Sequence, residues 1–129
     1  MAKEIKIPPL IGQTIIGKVP SKSNLYRVAN INGKTVMYKS KVLKQYEKSF
    51  YAQLEPQYRN LNINTYFDFY INVYYSTLRS DLDNSLKIVL DCLQASRVIK
   101  NDNKCMKIEA YKIINEKERI DFKIVTSKI

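Results

Sequence analysis

The sequence predicts a single α+β domain spanning residues 1–129, with a mixed or antiparallel sheet and two main helices in the order strand, hairpin, helix, strand, helix, strand, strand. Two kinds of periodicity carry this reading. Alternating apolar residues mark strands, above all in Tyr66–Tyr75, and apolar residues at helical spacing mark helices beginning near Ser40 and Asp81. A third signal is Asn32-Gly33 between two short alternating runs, the chemistry of a tight hairpin turn. With 129 residues the chain is long enough for a real core and too short for a catalytic domain beside a separate recognition domain.

Residues 1–12, with Pro8-Pro9, read as an irregular arm. Gly12-Gln13-Thr14-Ile15-Ile16-Gly17-Lys18 matches part of a phosphate-binding loop, but Val19 replaces the required hydroxyl and Pro20 opposes a helix there. The stretch is rich in β-branched residues and reads as a strand. Pro20–Asn24 opens a basic loop, and the hairpin after it puts Lys22, Arg27 and Lys34 on turns or exposed edges. The first helix runs from about Ser40 to Glu55, where Pro56 stops it, with Leu43, Tyr46, Phe50 and Leu54 as its packing stripe. Lys41, Lys44 and Lys48 form the opposite stripe. Lysines in a first turn work against the helix dipole, so the stripe is either a solvated face or a phosphate-binding one.

Tyr66–Tyr75 alternates Phe67, Phe69, Ile71 and Val73 against Tyr66, Asp68, Tyr70, Asn72 and Tyr74, a strand with one apolar and one tyrosine-rich face. The tyrosine face points to burial or a dimer contact ahead of base stacking. The second helix covers Asp81–Ser96. Lys104–Ile114 and Arg119–Thr126 are the last strands, with Ile120, Phe122 and Ile124 on the core side.

The chain has no histidine, which excludes Ser-His-Asp hydrolysis, histidine-metal nucleases and zinc deaminase sites together. Cys92 and Cys105 fit a reducing compartment as packed thiols and are too few for a zinc site. Nothing resembles a signal peptide or a membrane span, so a cytoplasmic protein without a membrane partner is expected. Net charge is +10. Residues 1–48 carry 10 Lys/Arg against 2 acids, residues 79–102 carry 4 of each, and residues 103–129 carry 7 against 4. A neutral, acid-bearing centre between basic flanks suits a polyanion steered onto a cation-loaded site.

That centre is Asp81-Leu82-Asp83-Asn84-Ser85-Leu86-Lys87-Ile88-Val89-Leu90-Asp91, with Asp102 on the following connection. On a helix, Leu82, Leu86, Val89, Leu90 and Leu93 share one arc, while Asp83, Asn84, Lys87, Asp91 and Gln94 fill another. Carboxylates gathered round an amine would repel unless a cation sits among them, the logic of a divalent-metal site. A structural reading accounts for part of the pattern: Ser80–Asp83 fits a capping box, and Lys87 pairs with Asp83 four residues away. It leaves Asp91 and Asp102 unexplained.

The run Asp-Leu-Asp-Asn-x-x-Lys-x-x-x-Asp, with the later Asn101-Asp102, resembles the signature of the RusA-type Holliday junction resolvases, small endodeoxyribonucleases common in phages. Gly17-Lys18-Val19-Pro20-Ser21-Lys22-Ser23-Asn24 resembles the basic loop after the first strand in that family. The resemblance implies a Mg²⁺-dependent homodimer, with Mn²⁺ able to substitute, that cuts four-way DNA junctions by paired nicks. It implies Asp81, Asp83, Lys87 and Asp102 as catalytic residues, with Asp81, Asp83 and Asp102 as metal ligands. Asn101 stands where many members have a further aspartate. Asp91 and Asn84 would orient the ligands, although spacing leaves open whether Asp91 is itself one. Lys18, Lys22, Arg27, Lys41, Lys44 and Lys48 are the candidate DNA contacts. A phage DNA-binding protein without catalysis, on the same fold, is the alternative from another class.

Overall fold

The strand with the strongest alternation lies at the centre of the sheet. In the computed structural model, which describes residues 12–127, the elements are β1 (Gln13–Ile16), β2 (Tyr26–Ile31), β3 (Lys34–Lys39), α1 (Lys41–Gln53), β4 (Phe67–Tyr75), α2 (Leu82–Ala95), β5 (Cys105–Ile114) and β6 (Arg119–Thr126). Single 3₁₀ turns cover Lys22–Asn24 and Asp102–Lys104. The predicted arm over residues 1–12 lies outside the described residues except for Gly12. The main sheet runs β1-β6-β4-β5 and is mixed: β4 pairs antiparallel with β6 and parallel with β5. A parallel neighbour requires a crossover, and α2 with its following turn supplies it. β2 and β3 form a separate two-stranded ribbon.

Alternation sends Phe67, Phe69, Ile71, Val73 and Tyr75 of β4 into the core with Ile120 and Phe122 of β6. Leu43, Tyr46 and Phe50 of α1 and Ile88, Val89 and Leu93 of α2 close over them. Phe50 stacks on Phe122 at 6.1 Å, which fixes α1 to the sheet. Among the described residues no helix packs on the tyrosine-rich face: the buried residues of α1 and α2 join the core on the other side. Instead Arg119 lies 3.8 Å over the Tyr74 ring, Lys107 lies 5.3 Å over Tyr70, and Tyr74 donates to Asp121 at 2.9 Å.

Two serines place the site-bearing segments. Ser40 is the N-cap of α1: its hydroxyl accepts from the Leu43 amide at 3.1 Å and donates to the Asn24 carbonyl, tying the helix start to the basic loop. This cap offsets the unfavourable lysines of the first turn. Ser85, fully buried, joins its hydroxyl to that of Tyr75 and to the Asp81 carbonyl, so the first turn of α2 is held against β4. The expected Ser80–Asp83 capping box does not form. Asp81 is the N-cap and its side chain caps nothing. The turn before the helix is held from β5, where the Lys112 ammonium donates to the carbonyls of Leu78 and Ser80.

Among the described residues the Tyr46 hydroxyl is buried without a hydrogen-bond partner, and burial raises its phenol well above the ordinary range. Tyr46→Phe removes that uncompensated desolvation while keeping the ring. It is expected to stabilise the fold by about 1 kcal/mol, a rise in melting temperature of roughly 3–5 °C. Thermal unfolding checks this, and a lower melting temperature would mean that the hydroxyl is satisfied.

Candidate active site

The polar arc of α2 faces solvent because the opposite arc is fastened to the core. Lys87 sits in its middle, its ammonium 3.0 Å from Asp91 Oδ1 and 3.3 Å from Asp102 Oδ2. Asp91 comes four residues on, along the same helix face. Asp102 arrives from a turn whose position is set by burial: Val98 and Ile99 are fully buried, and the Val98 amide donates to the Leu93 carbonyl at 2.9 Å. The Asp102 amide then donates to Gln94 Oε1 at 3.1 Å, and Asn101 caps the 3₁₀ turn through the Asn103 amide. Asp102 is thereby held against α2.

The hydrogen bond to Asp91, and after it the one to Asp102, raises the Lys87 pKa above its ordinary 10.5. Lys87 is therefore a fixed cation at neutral pH and unsuited to act as a base. Its side chain is 68% exposed, so solvent screens these pairs and they add little to stability. The arrangement opens cheaply to a ligand.

Two of the predicted ligands lie elsewhere. Asp81 is exposed at the N-cap and lines a cleft of about 480 Å³ with Lys18, Lys22, Arg79 and Asn84. Asp83 is exposed in the first turn of α2. Among the described residues no three carboxylate or thiol side chains gather into a group able to hold a metal ion. The expected Lys87–Asp83 pair does not appear: Asp91 is equally spaced, and Asp102 on the same side adds a second carboxylate that draws the ammonium that way. Asn84 lines cavities with Asp81 and with Asp91, but among the described residues its side chain hydrogen-bonds to neither. Its amide donates to the Pro20 carbonyl at 3.1 Å and pins the basic loop to α2.

The predicted cations form two groups. Lys18 and Lys22 share the cleft with Asp81, while Arg27, Lys41 and Lys44 line a second cleft of about 410 Å³ with Tyr38 and Lys39. Lys48 is exposed farther along α1 and does not line it. Sequence reasoning missed Arg79, Lys39 and Tyr26. Arg79 stands two residues before Asp81, a detectable signal, whereas Lys39 and Tyr26 reach the site only through the fold. They close the base of the ribbon over a cavity of about 150 Å³ lined also by Asn84, Lys87 and Asp91. Cys92 borders the same cavity, but burial pushes its thiol up to about 12 and keeps it neutral, a packing group without nucleophilic or ligand character.

The donor set fits a hard dication. Every candidate ligand is a carboxylate oxygen, and Asp91 and Asp102 already converge on one cationic point. Mg²⁺ is commonly held by one or two carboxylates, with water and substrate phosphate completing its shell.

Exposed carboxylates around a fixed ammonium, between clefts lined with cations, make the equipment of a nuclease: oxygen ligands for a dication and positive walls for a polyanion. The chain matches the family model for endodeoxyribonuclease RusA over residues 18–125, from the basic loop to the end of β6, and it belongs to that family. It is therefore an endodeoxyribonuclease, with DNA as its substrate. No curated protein matches the chain. No helix among the described residues is long and apolar enough to cross a membrane.

Proposed function

We propose that the chain resolves four-way DNA junctions as a Mg²⁺-dependent homodimer, placing symmetric nicks in two strands. The observation that carries this reading is Lys87 held as a cation between Asp91 and Asp102, on an exposed face flanked by basic clefts. Asp81, Asp83 and Asp102 would hold Mg²⁺, with Mn²⁺ as a substitute; Asp102 already stands at Lys87, and Asp81 and Asp83, set apart from it in the free chain, would be drawn to it by the ion. When bound, the ion supplies Lewis acidity toward the scissile phosphate and a nucleophile from water at neutral pH. Lys87 meets the charge that develops on the phosphate, a role its raised pKa supports. Asp91 fixes the direction of Lys87. Asn84 sets the basic loop so that Lys18 and Lys22 take flanking phosphates, while Arg27, Lys41, Lys44 and Lys48 take more distant ones.

Two nicks related by a two-fold axis require two sites, and a domain this small presents one. A C₂ dimer supplies the second in the right relation. The setting is the cytoplasm of a bacterium or phage-infected cell.

The test incubates the protein with a synthetic four-way junction and with a linear duplex of the same sequences, in Mg²⁺ or in EDTA. Cutting of the junction in Mg²⁺ alone is expected. Junction binding without cutting in either condition would favour a non-catalytic DNA-binding protein on this fold. Sedimentation of the free protein is expected to give a dimer, and junction affinity should fall steeply with salt because many bound phosphates release their counterions.

A further inference from the structure

The ribbon β2–β3 has no structural reason to stand where it does. Two-stranded ribbons are marginal in water unless something packs on them, yet every ribbon residue except Ala29 is exposed, with Val28 at 66% and Met37 at 68%. From Tyr26 to Lys39 it carries Arg27, Lys34 and Lys39 and no acid. Register divides its side chains between two faces. Tyr26, Val28 and Asn30 share one with Lys39, Met37 and Thr35, and Arg27 and Ala29 share the other with Tyr38 and Val36. Tyr26 and Lys39 line the cavity that holds Lys87 and Asp91, so the first face continues outward from the catalytic group. On the second face, the cleft of Arg27, Tyr38, Lys41 and Lys44 is lined by cations and no carboxylate, with Lys39 alone compensated, by Glu47 at 2.8 Å.

We propose that this ribbon enters the major groove of the DNA arm being cut and sets which base step is nicked. The proposal rests on the nuclease reading above. A major groove admits a two-stranded ribbon, and the first face offers what base edges recognise: Asn30 and Thr35 for hydrogen bonds, Val28 and Met37 for thymine methyls. The cationic cleft behind it takes the phosphate strand at the groove wall. Strands of 6 residues extend about 20 Å, enough to follow roughly six base pairs from the cut. Charge decides against a second copy of the chain as occupant. A two-fold contact would set the acid-free ribbon against itself and bring like charges together.

Dimethyl sulfate footprinting of guanine N7, an atom of the major groove, on a four-way junction in EDTA tests contact without depending on cleavage. The wild-type protein is expected to protect roughly six base pairs of one arm beside the branch point, and a folded Val28→Ser/Asn30→Ala/Met37→Ser variant to lose that protection while still covering the crossover. In Mg²⁺, on junctions offering varied sequence at the branch, the same variant should spread its nicks over steps the wild type ignores. Arg27→Gln/Lys41→Gln/Lys44→Gln should lower the salt slope of binding by about one for each phosphate that is no longer neutralised. A variant footprint equal to the wild type's overturns the proposal. So does a variant that sediments as a monomer with an unchanged footprint, which makes the ribbon a protein interface. If the footprint behaves as expected but no DNA is cut in Mg²⁺, the ribbon assignment stands and the nuclease reading fails.

Discussion

Asp102→Asn leaves a folded protein that binds junction DNA at least as tightly as the wild type and cuts it at least about 10²-fold more slowly. The substitution keeps the size and the turn, since the Asp102 amide still reaches Gln94 and the 3₁₀ turn is capped by Asn101. What it removes is one negative oxygen, the proposed ligand for the dication and a repulsion toward phosphate. The stability cost is small, under about 1 kcal/mol, because the Lys87 side of the pair is 68% exposed and screened by solvent. Single-turnover cleavage and mobility-shift binding on one preparation check this. A folded variant that cuts at the wild-type rate would remove Asp102 from the metal site.

Lys87→Ala is expected to slow the chemical step by about 10²–10³-fold while changing junction affinity less than about tenfold. One ammonium among many phosphate-binding groups adds little affinity. Placed where charge develops, it acts on the transition state alone. The substitution also leaves Asp91 and Asp102 facing each other without their shared cation, so Mg²⁺ affinity should rise as the rate falls. Affinity and rate falling together would make Lys87 a docking residue instead.

Much of the fold was legible because its signals are local. The alternation in Phe67–Tyr75, the stripe Leu43–Tyr46–Phe50 and the Asn32-Gly33 turn each declare themselves within a few residues, and the strands and helices follow them closely. What escaped depends on distant residues. Lys87 has an aspartate four residues away on either side, and only the return of the chain after buried Val98 and Ile99 brings in the second carboxylate that decides between them. Ser80 has the right chemistry for a cap, but Lys112, from a strand that pairs beside β4, holds the turn differently. Alternation likewise identified the ribbon strands without revealing that no described residue covers them, or that Tyr26 and Lys39 line one cavity with Lys87. The family resemblance supplied the proposed catalytic set that spacing alone left open. The basic loop and the Asp81–Asp91 run that carried it fall within the matched residues 18–125, apart from Gly17 at the loop's start.

Mapping the nicks on each of the four strands of a junction, labelled separately, tests most directly whether one carboxylate-and-lysine site per subunit, presented twice by a dimer, cuts branched DNA with Mg²⁺. The expected result is a pair of nicks at symmetry-related positions on two opposed strands, absent in EDTA and absent from the matching linear duplex. Nicks that persist in EDTA, fall on one strand alone, or appear equally in linear duplex would contradict it.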